Sequence, residues 1–224
     1  MSRTKNSAAR IAYCERQLEN LARVDIRAQA EAMGLAADEA GKTARARFLG
    51  REYLISNEGV RDAEEGRNVP VDTQSVLAHY IASRGRGEAS LEFVPIGRLT
   101  GLASGASAGT SPSDQLFKPL ADKFGPDYEA FRKAALALGA KHVGLSQAGA
   151  QSFVFDGLPK LPVRAEFFEA DEEFGAEIKI LFSSNATVFV MYEVLELTIM
   201  SLVVALLLEA GLISCPDDCQ ASFI

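Results

Sequence analysis

The sequence predicts an α+β fold: a small, mainly antiparallel sheet packed by several helices, with an apolar C-terminal helix buried across it. Three observations lead there. Residues 163–168 and 177–182 alternate apolar and polar side chains with a period of two, as a half-buried hairpin requires. Residues 188–208 follow as the most apolar segment of the chain, with LTIMSLVVALLL at 197–208. The other helical and extended patterns come in runs, without the repeating strand–helix period of a doubly wound fold.

Composition bounds the rest. A chain of 224 residues with a 48% hydrophobic share is long enough for a real core and too apolar to be largely disordered. One domain over residues 1–214 with a short tail at 215–224 is expected. A net charge of −7 argues against a general nucleic-acid binder, which needs a basic footprint to displace counterions. The opening MSRTKNSAAR has no apolar stretch of a signal peptide, so a cytoplasmic protein is expected. LTIMSLVVALLL falls short of the roughly 20 residues that span a bilayer, and Glu193, Glu196 and Glu209 flank it. A buried core helix is expected there. A helix apolar on all sides also suits a homo-oligomer interface.

In chain order, residues 8–33 read as one amphipathic helix, with Ile11, Cys14, Leu18 and Leu21 along one stripe and Gly34 as its stop. Residues 46–56 read as a strand, with Gly50 as a bulge or a place of close backbone approach. Glu58-Gly59 signals a turn, and residues 60–62 pair back antiparallel. After a charged loop at 64–68 comes a helix capped by Asp72 or Thr73 and carrying Val76, Leu77, Tyr80 and Ile81. Residues 91–95 suggest a short strand. The stretch 101–113, GLASGASAGTSPS, has glycines suited to approaching an anion but neither phosphate-loop signature, so a surface loop is expected, or a lid. Residues 114–124 are predicted helical, with Leu116, Leu120 and Phe124 at a spacing of four. Gly125-Pro126-Asp127 then starts a helix whose face carries Tyr128, Phe131, Ala135 and Leu138, and Gly139 ends it.

The hairpin at 163–168 and 177–182 comes next. Pro159 and Pro162 keep helix out of its first strand. Val163, Ala165 and Phe167 share one face, as do Ile178, Ile180 and Phe182. Its connection, 169–175, crowds Glu169, Asp171, Glu172 and Glu173 together. Phe174 beside them is expected to point inward and aim Asp171 or Glu173 toward the body.

The chain resembles the bacterial and archaeal family of domains of unknown function numbered 3786. The resemblance rests on F-L-G-R-E-Y at 48–53, the helix at 77–81, residues 117–120 with Phe124-Gly125, and the helix end at 134–139. It is strongest in L-P-K-L-P at 158–162, D-E-E-F at 171–174 and I-L-F-S-S-N-A at 180–186. It covers roughly residues 10–210. The resemblance implies a cytosolic protein of mostly anaerobic organisms and brings no catalytic residue. Some members carry an N-terminal cysteine cluster similar to an iron–sulfur motif. This chain has only Cys14 in that region, so no such cofactor carries over. It also departs at Ser183, where the family tends to have aspartate.

Side-chain chemistry then supplies candidates, and the cofactor stays unknown. Arg51, Tyr53, His79 and Tyr80 are expected to line a pocket for a small molecule or cofactor between sheet and helices. His79 has no second histidine at helical spacing, so a structural role is also expected for it. Isolated His142 follows a helix end, where a cation complements the dipole. Asp171 and Glu173 are the metal candidates, since hard cations take carboxylate oxygens, although the turn lacks a calcium-loop pattern. Cys215 and Cys219 are expected to be reduced thiols; a zinc site would need distant Cys14 and a histidine. Three functions stay open: a small-molecule-binding accessory protein, a metal-dependent hydrolase using the Asp171–Glu173 carboxylates, and a self-associating interaction protein.

Overall fold

The computed structural model describes residues 16, 19–64, 67–99 and 114–214. Ile11, Cys14, Leu18, Cys215, Cys219 and the glycine-rich segment 101–113 lie outside the described residues. The architecture is α+β, with two antiparallel sheets where one was expected. The first sheet is a meander of β1 (Ala36–Ala37), β2 (Thr43–Phe48), β3 (Arg51–Ser56) and β4 (Gly59–Asp62), after helix α1 (Ile26–Met33). Helix α2 (Val71–Ile81) leads to β5 (Phe93–Pro95), and α3 (Asp114–Phe124) and α4 (Tyr128–Ala137) follow. The second sheet takes β5 as one edge and adds β6 (Lys141–Leu145), β7 (Gln151–Phe155), β8 (Val163–Phe168) and β9 (Glu177–Ser183), in the order β5-β9-β8-β7-β6. Helix α5 (Tyr192–Glu209) closes the fold.

The β8–β9 hairpin forms as its period of two requires. Ala165 faces Ile180, and Val163 faces Phe182, in antiparallel register, with all four side chains buried. Phe131 from α4 lies on Phe153 and Phe167 at ring centroid distances of 5.5 and 5.2 Å, which fastens the helical layer to the sheet. Helix α5 packs against α2, α3 and α4. Leu195, Ile199, Leu202 and Leu206 are fully buried there, each contributing about 1.5–3 kcal/mol by leaving water. Among the described residues no helix is long and apolar enough to cross a membrane.

Several expectations shift, each for a local reason. The long first helix is broken before residue 26. Asp25 accepts from the Ala28 amide at 3.1 Å and caps a new helix, while Asn57 donates to the Leu21 and Val24 carbonyls, both at 2.9 Å. Residues 46–56 are two strands, because Leu49 and Gly50 both take positive φ, 48° and 77°, and make the two-residue turn of a hairpin. Gly50 is also a close approach: a Cβ there would lie 3.0 Å from the Ala137 carbonyl oxygen. Helix α2 starts at Val71, with Pro70 at its cap position, so Asp72 and Thr73 fall inside its first turn. Pro126 lies outside α4, whose cap is Asp127, accepting from the Ala130 amide at 2.9 Å. Residues 186–188 form a 3-10 turn, and α5 begins at Tyr192. Strands β6 and β7 are not expected from the sequence pattern.

Candidate functional site

The sequence candidates fall in separate places. Arg51 and Tyr53 share one face of β3, and Tyr53 lies opposite Asp62 across the ladder. The Asp62 side chain is 4% exposed; one oxygen accepts from the Glu64 amide at 2.9 Å, and the other is 3.9 Å from Arg51 Nη1. Burial pushes the Tyr53 phenol up, opposed by Arg51. Asp62 Oδ2 is buried without a hydrogen-bond partner, and half-exposed Arg51 stands at ion-pair distance from it on the first sheet.

His79 and Tyr80 are successive on α2 and part company. Tyr80 is fully buried: its hydroxyl donates to the Met33 carbonyl at 2.8 Å and accepts from the Lys160 amide at 2.9 Å. Burial raises its pKa. His79 is held below the usual imidazole range by burial, with Glu193 at the start of α5 pulling the other way. Burial first, and Glu193 second, raise the Glu196 carboxyl one turn along. Tyr80 is a structural hinge pin, and His79 is a half-buried titratable group between two helices.

The acidic turn is open to solvent. Phe174 is 70% exposed, so it does not pin the turn inward as expected. Asp171 Oδ1 accepts from the Phe174 and Glu173 amides at 2.7 and 2.8 Å, which hold its carboxyl below the usual range. A short aspartate that closes its own turn is satisfied without a cation. Among the described residues no three His, Cys, Asp or Glu side chains are grouped as metal ligands. His142 lies on strand β6, which follows the end of α4, where it stacks on Phe153 at 4.8 Å and meets Gln151 Oε1 at 3.0 Å.

A cavity of about 290 Å³ lies elsewhere, where the two sheets meet α5. The β2–β3 turn contributes Arg47, Phe48, Leu49 and Gly50 to it, and the end of α4 contributes Leu138, Gly139 and, at the start of β6, Lys141. The β7–β8 connection adds Phe155, Asp156, Gly157, Leu158 and Leu161, and Val163, Thr198 and Leu202 complete the wall. None of the six sequence candidates lines it. Its size falls just under the range of small-molecule sites, which run about 300–1,000 Å³.

The cavity has two kinds of wall. Phe48, Phe155, Leu158, Leu161, Val163 and Leu202 are all buried and give it an apolar floor. Thr198 adds no unpaired polar group, since its hydroxyl donates to the Val194 carbonyl at 2.8 Å. Charge is confined to the mouth: Lys141 pairs with Asp156, and the Arg47 guanidinium lies over Gly139. Gly157 lets the wall close, because a Cβ there would collide with the Arg47 carbonyl oxygen. An apolar chamber with a charged rim holds an amphiphile in one orientation.

Sequence reasoning missed this site because its residues come from four distant segments. Asp156-Gly157 after an apolar run was the local signal, since it marks the end of a strand. Three stretches that carry the family resemblance meet here, through Phe48-Leu49-Gly50, Leu138-Gly139, and Leu158 with Leu161. A family model described as a domain of unknown function (DUF3786) matches residues 25–204. No curated protein and no solved structure matches the chain.

Proposed function

The chain belongs to the DUF3786 family of domains of unknown function, and we propose that this member is a small-molecule-binding accessory protein whose site is the cavity between its two sheets and α5. The observation that carries this reading is the division of the wall, with buried Leu158, Leu161 and Leu202 below and Arg47, Lys141 and Asp156 above. Apolar walls supply affinity by removing ligand surface from water, and rim charges fix orientation. Among the described residues of the wall, the Thr198 hydroxyl donates to the Val194 carbonyl and Lys141 is held by Asp156, which favours binding over catalysis.

The two other readings draw less support. A hydrolase built on Asp171 and Glu173 would need further ligands, and Asp171 already accepts two backbone amides. Self-association through α5 would have to use the half-buried stripe of Met200, Val204 and Leu208, since α2, α3 and α4 pack against the helix and most of its other apolar side chains are buried. Native mass spectrometry on protein purified without oxygen tests the binding reading. An adduct of defined mass, retained by the wild type and lost from the cavity-filling variant Leu202→Phe, is expected. An adduct held equally by both, or a bare metal-sized increment lost on substituting Asp171, would overturn it.

A further inference from the structure

Resting on that reading of the cavity, we propose that its ligand is an amphiphilic monoanion, an apolar body ending in a carboxylate, whose acid group displaces Asp156 from Lys141 and spans to Arg47. Three side chains of the wall are ionisable: Arg47, Lys141 and Asp156. Two cations against one carboxylate leave the mouth one positive charge in excess, which a single anionic group balances. The charges are also unevenly engaged. Lys141 holds Asp156, with the two side chains 68% and 41% exposed. Glu52, directly opposite Arg47 in the β2–β3 ladder, instead accepts from Arg45 at 3.1 Å. Among the described residues no carboxylate pairs with Arg47.

The guanidinium of Arg47 lies over Gly139 at the end of α4, and both residues line the cavity. A Cβ on Gly139 would sit 3.6 Å from its Nη2, and Lys141 follows two residues later. Both cations line the one cavity. A planar fork beside an ammonium suits a carboxylate, which accepts two hydrogen bonds from the one and a charge-assisted bond from the other. Asp156 is the internal stand-in for that acid. An exposed ion pair contributes little in water, so exchanging one carboxylate for another on Lys141 is an accessible step. The side chains of the floor, Phe48, Leu158, Leu161 and Leu202, are buried and carry no polar atom, so the rest of the ligand is apolar.

Matched acids and alcohols of the same chain, hexanoate with hexanol and octanoate with octanol, test this by titration calorimetry on the full chain. The acid is expected to bind about tenfold tighter than its alcohol. Asp156→Asn, which removes the competing carboxylate, is expected to tighten the acid several-fold, and Arg47→Met to weaken it about tenfold, with the alcohol unmoved by either. All three rim positions are exposed or half-exposed, so these variants are expected to fold, as circular dichroism will show. Equal binding of acid and alcohol, or an acid affinity indifferent to Asp156→Asn, overturns the proposal while leaving the cavity a binding site. If neither member of any pair binds, the cavity reading itself fails and this proposal with it.

Discussion

The hydroxyl of Tyr80 accepts the backbone amide of Lys160 at 2.9 Å across 80 positions of the chain, and donates to Met33 at 2.8 Å. One buried oxygen thus ties α2 to the end of α1 and to the turn that carries Leu158 and Leu161 into the cavity. The Lys160 side chain, 10% exposed, is fixed at its far end by Glu88 at 2.6 Å. Tyr80→Phe keeps the ring and orphans a buried amide and a buried carbonyl. It is expected to lower the unfolding free energy by about 1–3 kcal/mol, read from denaturant midpoints. Faster amide hydrogen exchange at Lys160 should accompany it.

Gly157 sets how closely the β7–β8 connection approaches β2. Any side chain there meets the Arg47 carbonyl, which belongs to a strand and cannot swing away. Gly157→Ala is expected to cost about 1–3 kcal/mol, the usual range for overpacking. It should also shift the amide resonances of Arg47 and Phe48, and weaken any cavity ligand.

The pH dependence has a definite sign at His79. Burial holds its folded pKa below the unfolded value, so the fold favours the neutral ring. That contribution is complete above the unfolded pKa of about 6.5 and is lost as pH falls through it toward the lowered folded value. Glu196 acts with the opposite sign: its raised pKa favours the protonated acid in the fold, a contribution lost as pH rises through that value. His79→Gln isolates the first effect. The drop in denaturant midpoint between about pH 7.5 and 5.5 is expected to shrink in the variant.

The acidic turn is expected to be separable from the binding site. Asp171→Ala with Glu173→Ala should leave cavity binding unchanged, and divalent cations should not alter the melting temperature of the wild type. A cation-dependent rise that tracks metal concentration and vanishes in the double variant would restore the turn as a metal site.

What the sequence discloses of the fold follows the strength of its periodic signals. β8, β9 and α4 combine clear periodicity with unambiguous ends, and the structure keeps their boundaries to within a residue or so. β6 does neither: K-H-V-G-L scarcely alternates, its register shifts between His142 and Gly144, and Gly144 sits at φ 87°. The β2–β3 hairpin was hidden because leucine, at Leu49, holds a left-handed conformation that turns usually give to asparagine, aspartate or glycine. Phe174 is no anchor for the acidic turn, because the Asp171 side chain closes that turn unaided. The cavity was beyond any local pattern. Arg47, Lys141 and Asp156 look like ordinary surface charges until tertiary packing places them around one opening above a buried floor.

The most direct measurement is a methyl NMR titration of the leucine and valine side chains with short-chain carboxylates. Saturable shifts are expected at Leu158, Leu161, Val163 and Leu202, which share the cavity wall, while Leu91, 92% exposed, stays still. Shifts confined to exposed methyls, or none at any of these four positions, would contradict binding in the cavity.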